Sequence, residues 1–275
     1  THALLWSLGF YHVHHRLLLC GIHRCQQVIQ LGMLHQKKIT TFTIHLVKNL
    51  QNNMARITIN PSSSGLWHVV GLKDELRRSR EQEKESWAAA ADMRFEAVQR
   101  LLDALGDEDV HLDWEDRPTR AAMELLYAAG ADQFIVGEVE TAVALWETLL
   151  AVDEEDHMSV SVPLAFGYVE LEDFDCLEEM LFSISSKTPE YHLLTLWAEY
   201  RRTGGVDRDA LRTLRSRHKV WLEEFLADEH PIDEEYLADS QSERPSQRTE
   251  ARELFFATAP LWERNANFLK TIKKA

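Results

Sequence analysis

Carboxylates beside histidines are the residues of this sequence best suited to chemistry, since an acid can orient an imidazole and tune its proton affinity. Three places qualify: Asp156-His157, Glu229-His230 and the cluster Trp114-Glu115-Asp116. Consecutive residues on a helix project about 100° apart, so neither acid–histidine pair is preorganised by spacing alone. The sequence holds no HExxH, GxSxG, P-loop or GxGxxG pattern, the signatures of metalloproteases, serine hydrolases and nucleotide-binding folds. A hydrolase built from what remains would show two carboxylates converging on His157 in one pocket. No catalytic residue is assigned on spacing.

A second set with chemical potential is His12, His14, His15, Cys20, His23 and Cys25. The two cysteines are separated by four residues, within zinc-ligand spacing. No second Cys/His pair stands at fingertip distance, and no carboxylate is near to orient the imidazoles. The expectation is therefore no metal and no cofactor. The surrounding stretch, 1–53, has seven of the 13 histidines, five basic residues (Arg16, Arg24, Lys37, Lys38, Lys48) and no acid. Its apolar runs are too short and broken for a membrane span or a signal peptide. It reads as upstream sequence translated in frame, with the start at Met54. Residues 1–69, which include the Pro61-Ser62-Ser63-Ser64-Gly65 linker, are set apart from a helical domain over 70–275.

Charge narrows the partners. The chain carries a net −15, all of it and more from the part after residue 53. So acidic a body repels nucleic-acid phosphates and anionic membrane, and favours basic or neutral partners. Cys176 is the single cysteine outside the N-terminal stretch. That is no disulfide framework, and it points to a reducing, cytoplasmic setting.

The elements that must position these residues are set by one spacing. Ala142, Cys176 and Ala210 lie 34 residues apart, as do Trp146, Met180 and Leu214, and Val143, Leu177 and Leu211. A small residue with a large apolar one four positions later suits the inner face of a helix packed closely on another. A 34-residue period is the length of a tetratricopeptide helical hairpin. The fold class is accordingly all-α, with antiparallel helical hairpins stacked as a short right-handed solenoid and closed by a C-terminal helix pair.

In chain order, 55–60 is a short strand or extended lead, and 73–105 one long helix with a buried stripe of Trp87, Ala91, Phe95, Val98, Leu102 and Leu105. The charges of its first half, such as Arg77, Arg80 and Lys84, read as a solvated face. Pro118 opens the next helix; Gly137 turns it into a return helix over 138–152, with Gly130 where the two cross. Ser161 caps a second hairpin, which places Pro163 in a first turn (164–171 and 174–185). Thr188-Pro189-Glu190 opens a third (190–202 and 207–217). The tail gives a helix at 218–227, a polar mobile stretch at 240–246, and helices at 247–258 and 261–272, the last opened by Pro260.

Three stretches in this order resemble a known group. Glu115-Asp116-Arg117-Pro118 is similar to an E-T-R-P motif ahead of a helix. Val152-Asp153-Glu154-Glu155-Asp156-His157-Met158 is similar to an L-N-P-N-D-N-Q segment. The tail 248–269, with Ala251, Phe255 and Trp262, resembles an aromatic-rich closing helix pair. Together they resemble the tetratricopeptide-like bacterial relatives of the suppressor of tumorigenicity 7 family, over roughly 72–272. Thr119 stands where that family has an aromatic, His157 where it has Asn, and its N-P-H-V step survives loosely near His218. The resemblance implies an intracellular helical scaffold with no established reaction.

The leading expectation is thus a scaffold that binds a protein or peptide on the concave face lined by first helices. The 34-residue register places Glu124, Tyr127, Phe134, Met158, Tyr168, His192, Glu199 and Arg202 near that face; the competing role for Tyr127, Phe134 and Met158 is core. The alternatives are a hydrolase-type enzyme and an accessory module beside another domain. Arg117 is expected to be structural, its guanidinium gripping carbonyls or the neighbouring Glu115 and Asp116.

Overall fold

The computed structural model describes residues 56–106 and 109–275. The 1–53 stretch and the zinc candidates His12, His14, His15, Cys20, His23 and Cys25 lie outside the described residues. Among the described residues the chain is mostly helical, with 12 helices and one two-stranded sheet. It divides into two compact units. The first takes the described residues up to Gln133 together with Glu140–Val160; the second takes Phe134–Val139 and Ser161–Ala275.

In the first unit, β1 (Thr58–Pro61) pairs antiparallel with β2 (Trp67–Val70). The predicted linker is the end of β1 and the loop of this hairpin: Pro61 still pairs with Trp67, and residues 62–66 make the turn, with Gly65 at φ 85°. The expected boundary at 69/70 falls inside β2. The free edge of β2 takes up the chain around Leu112: Trp67 N donates to His111 O (2.7 Å), and Asp113 N donates to Trp67 O (3.0 Å).

The single long helix expected over 73–105 is two, α1 (Lys73–Glu83) and α2 (Trp87–Leu105). Ser86 breaks it: its backbone is extended and its hydroxyl accepts from Ala89 N, which satisfies one of the amides a new helix start leaves open. The break lets α2 fold back on α1, and the reason is electrostatic. Arg94 on α2 donates to both Asp132 oxygens (2.6 and 2.8 Å) and to Glu83 (3.2 Å), while Trp87 Nε1 donates to Asp132 (3.1 Å). Arg94 and Asp132 are both 4% exposed. The buried residues of α2 are Ala90, Arg94, Ala97, Val98, Leu101 and Leu105; Val98 and Leu105 of the predicted stripe are among them, but the face is rotated toward Arg94. Counting a charged residue as outward hid the face it centres.

The hairpin at the middle of the chain follows its sequence signals. α3 (Arg117–Val136) has Pro118 in its first turn, and Asp116 caps it through Thr119 N (3.1 Å). α4 (Val139–Val152) returns. Gly130 marks the crossing. A Cβ built there would lie 2.4 Å from Trp146 Nε1, so only glycine lets the indole, 2% exposed, sit flat on α3.

The second unit has two further hairpins and the tail. α5 (Ser161–Glu170) starts late, with Pro163 in its first turn where a missing amide costs nothing. α6 (Phe174–Leu181) is capped by Asp173 and stops four residues short of the expected 185. α7 (Pro189–Thr203) ends on left-handed Gly204. Thr188 is the N-cap residue, but its hydroxyl turns back to Ser185 O instead of capping. α8 (Arg208–Arg217) is capped by Asp207. In α4, α6 and α8, Val143, Leu177 and Leu211 are buried, as are Trp146, Met180 and Leu214; of the small positions Cys176 is half-buried.

The tail departs from expectation. α9 (Lys219–Phe225) is shorter than predicted, and α10 (Glu234–Ser240) is a helix where none was read. α11 (Gln247–Arg264) runs straight through Pro260, and α12 (Asn267–Lys274) follows. A proline inside a helix costs about 3 kcal/mol. Packing outweighs that cost: Trp262, 4% exposed, meets Phe166 of α5, Trp197 of α7 and Phe225 of α9 edge-on at centroid distances of 6.0, 5.1 and 5.2 Å. The closing helix therefore lies on the first helices of the second and third hairpins rather than only at their end.

Candidate functional site

Two of the three resembling stretches, far apart in sequence, meet in the first unit. Leu112 N donates to Val152 O (2.8 Å) and brings 111–116 against 152–160. The His157 imidazole stacks on Trp114, centroids 4.9 Å apart and planes within 9°. Arg120 lies over the same indole at 4.6 Å and donates Nε–H to Trp114 O (3.0 Å). Asp153, 5% exposed, organises the loop: one oxygen is 2.7 Å from His157 Nδ1 and the other accepts His157 N–H at 2.9 Å. Glu155 stands 3.3 Å from His157 Nε2. Asp156 and Ser159 adopt φ of 51° and 52°, a conformation side chains resist; Asp156 offsets part of the cost by accepting from Val160 N (2.6 Å).

Two carboxylates thus do close on His157. The hydrogen bond to Asp153 lifts the imidazole above its ordinary value of 6.5; partial burial opposes this, and the fields of Asp153, Glu155 and Glu115 add to it. Asp153 holds Nδ1, while Glu155, largely exposed, stands beside Nε2. The arrangement is a charged brace for a strained loop. Its contribution to stability is full below the unfolded-state value and is lost as pH rises through the raised folded value. The melting-temperature gap between the parent and His157→Ala is therefore expected to be widest near pH 6 and to narrow steadily toward pH 9. A gap that widens with pH would contradict the brace.

The second acid–histidine neighbour does not form a pair: Glu229 is exposed. His230 Nδ1 meets Glu224 instead (3.3 Å), which also accepts from Arg252 Nε (2.5 Å), and the ring stacks on Phe255 at 3.7 Å. Burial raises the Glu224 carboxyl, but hydrogen bonds from Arg252 and His230 outweigh it and leave it below its ordinary value. Arg252 also donates to Pro231 O (2.6 Å). This network ties α9 to α11 inside the second unit. Glu224 and Arg252 escaped the sequence reading because 28 residues separate them.

The predicted groove residues divide. In the first unit, Glu124 is committed to Arg80 (2.7 Å), and Tyr127 and Met158 are half-buried. In the second, Phe134 and Tyr168 are 1% and 0% exposed; they are core side chains, because both face inward from apolar helix stretches, and they offer a partner nothing. His192, Glu199 and Arg202 keep exposed surface. Arg202 reaches Glu178 (3.0 Å) and lies over Phe174 at 4.3 Å. Glu199 accepts from Thr203 Oγ1 (2.9 Å). Burial, then the neighbouring His218 and Arg217, pushes the His192 imidazole down.

Arg117 corrects a second expectation. Asp116 bonds to Thr119, and the Arg117 side chain is exposed and makes no hydrogen bond or ion pair with another described residue. The carbonyl-gripping role belongs to Arg120, one turn on, whose side chain faces Trp114. No group of three or more His, Cys, Asp or Glu among the described residues is arranged to hold a metal ion. None of their helices is long and apolar enough to cross a membrane. The chain matches no family model, no curated protein and no solved structure in the comparisons made.

Proposed function

We propose that the chain is a tetratricopeptide-like scaffold that binds a protein or peptide partner and catalyses no reaction. One observation carries the reading: α4, α6 and α8 bury the same large positions at the same 34-residue interval. Such a register belongs to hairpins stacked as a solenoid, whose first helices offer a face to a partner. On α5 and α7 part of that face is taken by α11 through Trp262, so the contact surface is the polar strip of His192, Glu199 and Arg202. The acidic body favours a basic or neutral extended peptide, and a cytoplasmic partner suits a sequence with a single cysteine after residue 53. A hydrolase draws on the carboxylates at His157, but the bonds of Asp153 to both the ring and the backbone amide of His157 support bracing instead.

The test is fluorescence anisotropy with labelled extended peptides in basic, neutral and acidic series. The basic series is expected to bind tightest, with Glu199→Lys weakening it about tenfold, since a like charge at the contact replaces an opposite one. Tightest binding by the acidic series, or indifference to Glu199→Lys, would sink the reading.

A further inference from the structure

Acidic as the chain is, a hollow in the first unit is strongly cationic. A cavity of about 470 Å³ in the first unit is lined by Lys73, Arg77, Arg80, Lys84, Arg117 and Arg120. Glu81 and Glu124 are the acids in its wall, and Leu76 and Ala121 its apolar part. The first four cations recur along α1 at spacings of four, three and four, which puts them on one face of the helix. The other two come from the first turn of α3. Six cations against two carboxylates leave an excess of four positive charges.

The cations are not spent on one another's neutralisation. Arg80 pairs with Glu124, and Arg77 with Glu81 and, on its outer side, Asp74. Arg120 bonds to the Trp114 carbonyl. The side chains of Lys73, Lys84 and Arg117 make no hydrogen bond or ion pair with another described residue. Like charges gathered round one hollow repel and lower stability, and a bound anion relieves that. At the start of α3, Pro118 has no amide hydrogen and those of Thr119 and Arg120 go to Asp116. Recognition rests on side chains.

We propose that this cavity binds a compact anion carrying two or more phosphate groups. A phosphate group carries about −1.5 to −2 near neutrality, so two match the excess of four. Four of the six cations are arginines, whose planar forks engage phosphate oxygens in pairs, while the lysines act as point charges. The volume is that of a small-molecule site. The proposal stands apart from the peptide-binding reading, which uses other residues.

The test is isothermal titration of the full chain with inorganic tripolyphosphate, adenosine triphosphate, orthophosphate and a ten-nucleotide single-stranded RNA, at one low ionic strength. Tripolyphosphate and the nucleotide are expected to bind at least tenfold tighter than orthophosphate and to raise the melting temperature. Equal affinity for those two marks the phosphates alone as the ligand; tighter binding of the nucleotide marks an organic phosphate. Arg117→Ala should weaken both about tenfold, as loss of a charge-assisted contact does, with Lys84→Ala weaker in effect and Lys270→Ala on α12 without effect. Because the Arg117 side chain makes no hydrogen bond or ion pair with another described residue, its variant should melt no lower than the parent without ligand. No binding at millimolar concentration, unchanged affinity in Arg117→Ala, or tighter binding of the RNA than of either small phosphate would overturn the proposal.

Discussion

Trp146→Ala is expected to lower the free energy of unfolding by about 3–5 kcal/mol, the usual cost of deleting a buried aromatic side chain. The indole is 2% exposed, lies against Gly130 and donates Nε1–H to Tyr127 O at 3.3 Å. Removing it loses burial, opens a void between α3 and α4, and takes a donor from a carbonyl. The complementary change is Gly130→Ala. Helix propensity alone would make it favourable by about 1 kcal/mol, yet the added methyl would press on a buried ring with nowhere to go. A net loss of about 1–3 kcal/mol is expected from that overpacking. Urea unfolding followed by circular dichroism measures both. A loss below about 1 kcal/mol in Trp146→Ala would mean that the indole is not the keystone of this hairpin.

Breaking the Arg94–Asp132 pair should cost a similar amount. Arg94→Leu leaves Asp132, 4% exposed, with Trp87 Nε1 at 3.1 Å as its remaining side-chain donor among the described residues. Removing one partner of a buried ion pair typically costs about 3–5 kcal/mol, because the other charge stays behind without compensation. Replacing both, as Arg94→Leu with Asp132→Leu, should recover most of the loss, since an apolar pair needs no desolvated charge. The double-mutant cycle in urea therefore should show strong coupling. Additive losses would mean that the two side chains act independently.

Helix starts and stops were legible where backbone chemistry is local. Pro118, Gly137, Pro163 and Gly204 each sit where a missing amide or a left-handed turn demands them. The 34-residue register was legible because one apolar face repeats. Features made by distant partners were not. Nothing within 73–105 announces a break at Ser86, whose cause is a fold-back that lets Arg94 reach Glu83 and Asp132. Pro260 reads as a helix start until Trp262 is seen among Phe166, Trp197 and Phe225. The candidate sites show the same division. His157 was flagged beside Asp156, but the acid that bonds to its ring is Asp153, four residues earlier, and the two form a brace. The cations of α1 were read as solvated, because Arg117 and Arg120 join them from a helix some 35 residues later.

The most direct measurement of the scaffold reading is hydrogen–deuterium exchange of the full chain, alone and with the tightest peptide of the basic series. Protection is expected along α7 (Pro189–Thr203), on the segments that carry His192, Glu199 and Arg202, with the loop at Asp153 and His157 unchanged. Protection confined to the His157 loop, accompanied by turnover of the peptide, would contradict a binding scaffold and point to an enzyme.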